Sequence, residues 1–98
     1  MFINVKGTKY KLVYKKLTEK HGECNTERKI IYIDTEKKTQ EKLHLITLVH
    51  EMVHAYLGEM YVSDIISSDL EEILCETVAH MVDEHRDLLL GIGDVSNN

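Results

Sequence analysis

The stretch that most limits how this chain can fold is His50-Glu51-Met52-Val53-His54, an H-E-x-x-H pattern inside a run from Leu43 to Leu57 that holds neither glycine nor proline. With Leu43, Leu45, Ile46, Leu48, Val49, Met52, Val53, Tyr56 and Leu57 as its apolar members, the run reads as one helix. Positions four apart on a helix stand one above the other, so the imidazoles of His50 and His54 share a face and can grip a single metal ion. Glu51 lies roughly 100° further round the axis. Its carboxylate is badly placed to ligate the same ion but well placed to reach a water bound to it. A blander alternative makes the histidines hydrogen-bonded core residues and Glu51 a surface residue. That alternative must settle two imidazoles and a carboxylate in a strongly apolar helix, where polar groups without partners are costly, whereas a metal ion supplies the partner directly.

Ahead of this helix the sequence changes period. Phe2 to Val5 and Lys9 to Tyr14 alternate like two short strands around Gly7-Thr8, as in a hairpin. Leu17 to His21 has no clear period, and Gly22 is expected to end whatever it forms. Lys29-Ile30-Ile31-Tyr32-Ile33-Asp34 is the clearest strand, β-branched and apolar. After a polar turn at Thr35 to Thr39, the H-E-x-x-H helix is assigned to residues 39–58, with Glu41 favouring its first turn. Residues 63–67 form a linker. Ser68-Asp69-Leu70-Glu71 fits the capping box S-x-x-E and starts a second helix over residues 68–89, with Leu70, Ile73, Leu74, Thr77, Val78, Met81 and Val82 as its expected core stripe. Gly91 and Gly93 stop it, leaving residues 91–98 as a polar tail. The reading is an α+β fold in one domain, residues 1–98: a β-rich part over 1–34 with a small, mostly antiparallel sheet of about three strands, then two long helices.

Composition narrows the function classes. A chain of 98 residues holds one modest core, to whose folding a bound metal can add. Its 43% hydrophobic and 30% charged residues are those of a soluble globular protein, and no apolar run approaches a membrane span. Met1 to Lys6 lacks the apolar region of a secretory signal, so the expected compartment is the cytoplasm. Cys24 and Cys75 stand apart with no C-x-x-C, so free thiols are expected, with Cys75 a small core residue. The net charge of −5 divides unevenly: residues 1–42 carry eleven Lys/Arg against six Asp/Glu, and residues 43–98 one Arg against eleven acids. The acidic half holds the metal motif, where a divalent cation offsets repulsion. Lysines of the basic half fit the solvated faces of strands, and Tyr10 and Tyr14 fit strand packing, so nucleic acid is not indicated as a partner.

A catalytic zinc takes three protein ligands and one water, so His50 and His54 need a third donor. Glu71, Glu72 and Glu76 of the second helix are the candidates. Glu71 has a structural use as the capping-box acid. Glu72 and Glu76, four apart on one face, then serve as the ligand and as the acceptor for the free N–H of a ligand histidine. His50-Glu51-Met52-Val53-His54-Ala55, followed by Glu72-Ile73-Leu74-Cys75-Glu76-Thr77-Val78-Ala79, resembles the zinc metallopeptidases called gluzincins, of which thermolysin is the best known. The resemblance implies a minimal zincin-like domain with His50, His54 and Glu72 as zinc ligands, Glu51 as general base and Glu76 as supporting acid, although the thermolysin-like enzymes have aspartate where Glu76 stands. The strand and turn leading into Thr47-Leu48-Val49-His50-Glu51 look most like short metallopeptidases of phages and mobile elements related to the ImmA/IrrE family. That likeness covers roughly residues 22 to 90 and implies an endopeptidase acting on a repressor or other regulatory protein.

The expected function is thus zinc-dependent hydrolysis of peptide bonds in a protein or peptide substrate, with Glu51 taking the proton of the attacking water. Tyr56, Tyr61, His80 and His85 are candidates for an oxyanion donor. The rival reading is a non-catalytic zinc-stabilised protein-binding module, which uses His50, His54 and Glu72 but has no need of Glu51.

Overall fold

The structure is a computed structural model that describes residues 1–89, except for the side chains of residues 38 and 39; the expected polar tail at 91–98 lies outside the described residues. Four strands, β1 (Phe2–Val5), β2 (Thr8–Lys15), β3 (Gly22–Asn25) and β4 (Ile30–Asp34), lead through a 3-10 turn at Thr35–Thr39. The helices α1 (Glu41–Glu59), α2 (Ser68–Glu84) and the single turn α3 (Arg86–Leu89) follow. This is the expected α+β arrangement with one more strand. None of the helices among the described residues is long and apolar enough to cross a membrane.

The sheet runs β1-β2-β4-β3. Its two outer pairings are antiparallel, and the central pair, β2 with β4, is parallel. A parallel pair cannot be joined by a tight turn. The chain between them therefore swings out, and part of that excursion, β3, returns to line the free edge of β4. Gly22, expected to end an element, opens this one by pairing with Ile33, and Asn25 closes it opposite Ile30. The β1–β2 hairpin turns at Lys6 (φ 51°) and Gly7 (φ 85°), one residue earlier than the sequence suggests. Two successive positive φ values with Val5 opposite Thr8 are those of a two-residue type I′ turn, whose twist matches its strands.

Alternation along the strands sends Val5, Tyr10, Leu12, Ile31 and Ile33 to one face, where they are buried with Ala55 of α1 while Leu48 and Met52 pack alongside. Full burial of such an aliphatic side chain contributes roughly 1.5–3 kcal/mol. The C-terminal end of α1 is tied down by Glu59. Its carboxylate accepts from the Tyr10 hydroxyl at 2.7 Å, Thr8 Oγ1 at 3.1 Å and Lys29 Nζ at 2.6 Å. An acid is unfavourable at a helix C-terminus, and the Lys29 ammonium offsets that. Tyr10 is pushed above the ordinary phenol range by burial and then by Glu59.

Helix α2 corrects three expectations. Its cap is Ser67, whose Oγ accepts from the Leu70 amide at 3.1 Å, so the capping box beginning at Ser68 does not form. At its far end His85 (φ −111°, ψ 24°) leaves the helical region, so residues 68–89 are not one helix but two. Most of the apolar stripe expected in the core is exposed, with Leu70 at 44%, Ile73 at 61% and Met81 at 48%, and of its members only Val78 and Val82 are half-buried, while Cys75 and Ala79 are buried. The cause is layering. Helix α1 already covers the sheet, α2 packs on α1 instead, and the surface it meets there bears the histidines of the H-E-x-x-H motif, to which acids and small residues are complementary.

Candidate metal centre

The two motif histidines stand on adjacent turns of α1 with ring centroids 5.0 Å apart. On each ring Nδ1 meets a carboxylate of α2: His50 Nδ1 lies 2.6 Å from Glu76 Oε1, and His54 Nδ1 lies 2.5 Å from Glu71 Oε2. An ionised carboxylate only accepts, so both Nδ1 atoms donate, and in the neutral rings the lone pairs fall on Nε2. Both Nε2 atoms converge on one group, the carboxylate of Glu72, at 3.1 Å from His50 and 2.8 Å from His54. Positive charge at this point, whether protons on the imidazoles or a metal ion, satisfies two Nε2 atoms and a carboxylate so placed.

The spacing on α2 makes this possible. Glu71, Glu72, Cys75, Glu76 and Ala79 recur at intervals of one, three and four and so share the side of α2 turned to α1. Glu71, read from the sequence as a cap, thus lies against His54 Nδ1, while Glu72 lies against Nε2 of both histidines and Glu76 against His50 Nδ1. Burial opposes the charge of Glu71, but hydrogen bonds from Ser63 and from His54 outweigh it and hold the carboxyl below its usual range. Cys75, expected to be a plain core residue, is fully buried, and its Sγ forms with His50 and His54 a group of donor atoms all within 4.8 Å of one another. These donor atoms form a candidate metal-binding group among the described residues. The signal for Cys75 was available in its spacing three residues after Glu72, but isolated cysteines carry no metal pattern of their own.

Glu51 points elsewhere, as its place on the helix demands. It is 7% exposed and lies on the buried line Thr47–Glu51–Ala55 of α1 that faces β3. Burial raises its pKa, Glu72 and Glu23 raise it further, and His50 and His54 oppose them. Among the described residues none hydrogen-bonds to its carboxylate. Gly22 is what lets it sit there. A Cβ at Gly22 would stand 2.9 Å from Glu51 Cγ and 2.9 Å from Thr47 Cγ2.

Between the β3 edge and the two helices opens a cleft of about 860 Å³ into which His50, Glu51, His54 and Glu72 all look. Burial pushes the thiols of Cys24, on its β3 wall, and Cys75 up to about 12. Of the four oxyanion candidates only His80 lines the cleft, its Nε2 3.4 Å from Glu76 Oε2. Tyr56 instead donates to the Asn4 carbonyl at 3.4 Å, Tyr61 is 75% exposed, and His85 caps α2. His21, to which the sequence assigns no part, also lines the cleft. No family model matches the chain, and searches of curated proteins and of solved structures find no match.

Proposed function

We propose that the chain is a zinc-dependent endopeptidase in which His50, His54 and Glu72 hold the ion and Glu51 is the general base. The observation that carries this reading is the Glu72 carboxylate lying between two Nε2 atoms whose rings are each held from behind by an acid. The donor set, two imidazoles and a carboxylate with a thiol beside them, is one that zinc accepts and that magnesium or calcium, which take oxygen ligands, does not match. Bound zinc supplies Lewis acidity, lowering the pKa of the water it coordinates to about 7 and polarising a carbonyl oxygen. Glu51 then takes the proton of the attacking water and delivers it to the departing amine nitrogen. A carboxyl whose pKa burial has raised is suited to both halves of that exchange. The open cleft leaves room for an extended peptide beside β3, and the resemblance to short phage and mobile-element metallopeptidases makes a regulatory protein the first substrate to try.

The rival, a zinc-stabilised binding module, draws support from the outward apolar residues Leu70, Ile73 and Met81 of α2. One substitution separates the two. Glu51→Gln keeps the shape of the side chain but cannot accept a proton, so the variant should fold, hold one zinc ion and lose about 10²- to 10⁴-fold in cleavage. Cleavage is read by mass spectrometry on a peptide library and on an unfolded protein. A zinc-loaded wild type that cuts nothing Glu51→Gln leaves intact would establish the binding module instead.

A further inference from the structure

We propose that Cys75 is itself a ligand of this centre, its thiolate completing a four-donor set with His50, His54 and Glu72. The inference rests on the metal-binding part of the reading above and not on its peptidase part. Cys75 Sγ lies within 4.8 Å of a ring nitrogen of each histidine, and each ring's Nδ1 is hydrogen-bonded to Glu76 or Glu71, which leaves Nε2 for a metal. The four donors come from two sides. Cys75 is fully buried, the histidine side chains are 14% and 16% exposed, and Glu72 is 58% exposed. A cation between the rings therefore meets the thiol from the protein side and the carboxylate from the solvent side.

A divalent ion deprotonates a coordinating thiol outright. On binding, the S–H bond breaks, an S–metal bond forms, and the proton leaves to solvent. The consequence is a centre whose four positions are filled by protein at rest. Glu72 is the donor with room to swing into solvent and open a position for water, whereas Cys75 is held in place by the packing of α2 on α1. Such a site also favours thiophilic ions over oxygen-seeking ones more strongly than a set of two histidines and a glutamate.

Cobalt(II) reads this directly, because a tetrahedral Co²⁺ centre absorbs in the visible and a thiolate ligand adds a charge-transfer band in the near ultraviolet. The chain has two cysteines, so in Cys24→Ser the remaining thiol is Cys75. Wild type and Cys24→Ser loaded with one equivalent of Co²⁺ should show both sets of bands, and Cys75→Ser should keep the visible bands and lose the near-ultraviolet one. Visible bands without the near-ultraviolet band in Cys24→Ser would overturn the proposal while leaving the histidine–glutamate site standing. No visible bands in the wild type would remove the metal reading and this proposal with it. Should Cys75→Ser fail to fold, the Cys24→Ser spectrum decides alone.

Discussion

The contact between β3 and the H-E-x-x-H helix can be tested by adding one methyl group. Gly22→Ala places a Cβ 2.9 Å from both Glu51 Cγ and Thr47 Cγ2 and 3.1 Å from Glu51 Oε2. Non-bonded carbons prefer about 3.5–4.0 Å, so the new atom is short of its natural distance by about 0.6–1.1 Å on two fronts at once. Thr47 Cγ2 is two bonds from Cα and moves only by a change of χ1 rotamer, whereas Glu51 has more freedom to swing aside, or the strand edge can retreat. Overpacking of this kind costs typically 1–3 kcal/mol. Loss of the glycine's freedom in the unfolded chain returns about 0.4–1 kcal/mol, because φ at Gly22 is not in the left-handed region. A net destabilisation of about 1–2 kcal/mol should remain, which at 4–8 °C per kcal/mol for a domain of this size lowers Tm by about 4–16 °C.

The melts should be run in excess chelator, so that metal linkage does not enter, and repeated in backgrounds carrying Thr47→Ser or Glu51→Ala. Each of these removes one clashing carbon, so Gly22→Ala should cost less in either background than alone, with a coupling of at least about 0.5 kcal/mol. Zinc stoichiometry should not change, because the nearest neighbours of the new methyl are Glu51 and Thr47 and not a histidine, while cleavage should fall as Glu51 is displaced. A Gly22→Ala protein as stable as wild type, or one whose effect is additive with both backgrounds, would refute the close packing of β3 on Glu51.

Other substitutions probe the remaining parts. Glu72→Ala should weaken zinc binding most, and Glu71→Ala and Glu76→Ala should each weaken it by about 10- to 100-fold as the histidine each supports is loosened; titration against a zinc indicator ranks them, and a Glu71→Ala that binds zinc normally would return Glu71 to a purely structural part. Ser67→Ala should lower stability by about 1 kcal/mol, with Ser68→Ala near neutral, since only Ser67 caps α2; chemical denaturation measures both. Glu59, held below its ordinary 4.5 first by the Lys29 hydrogen bond and then by Tyr10, contributes stability that is present above about pH 4.5 and lost as pH falls through its depressed value. Glu59→Gln should therefore be less stable than wild type at pH 7 and lose less on acidification, as followed by circular dichroism from pH 7 to pH 3.

What could be read from the residues alone follows from where each signal is stored. Strands β1, β2 and β4 are legible because alternation and β-branching are local, and α1 because nothing between Leu43 and Leu57 can break it. Strand β3 is not legible: Gly-Glu-Cys-Asn has no β-branched residue, and it becomes a strand only because the edge of β4 offers it unpaired backbone groups. The stripe on α2 misleads for a different reason. Periodicity locates an apolar face but does not say which way it turns, and here the partner helix presents histidines, to which Glu71, Glu72 and Glu76 hydrogen-bond. With two adjacent serines ahead of α2, the choice of cap decided the part given to Glu71, and one residue of register moved that carboxylate from a backbone amide to an imidazole.

The same geometry explains the uneven charge along the chain. Of the eleven acids in residues 43–98, Glu51, Glu71, Glu72 and Glu76 all line one cleft, whose basic lining groups are Lys20, His21, His50, His54 and His80. On a surface helix these carboxylates would be solvated and spread; here three of them are gathered by hydrogen bonds to His50 and His54 along the seam between α1 and α2. The α2 side of that seam buries the small residues Cys75 and Ala79, and the larger Leu70, Ile73 and Met81 are left exposed. Either protons on His50 and His54 or a cation held by their free nitrogens offsets the repulsion among Glu71, Glu72 and Glu76, and under the metal reading proposed above the acidity of the C-terminal half and the converging Nε2 atoms have that one cause.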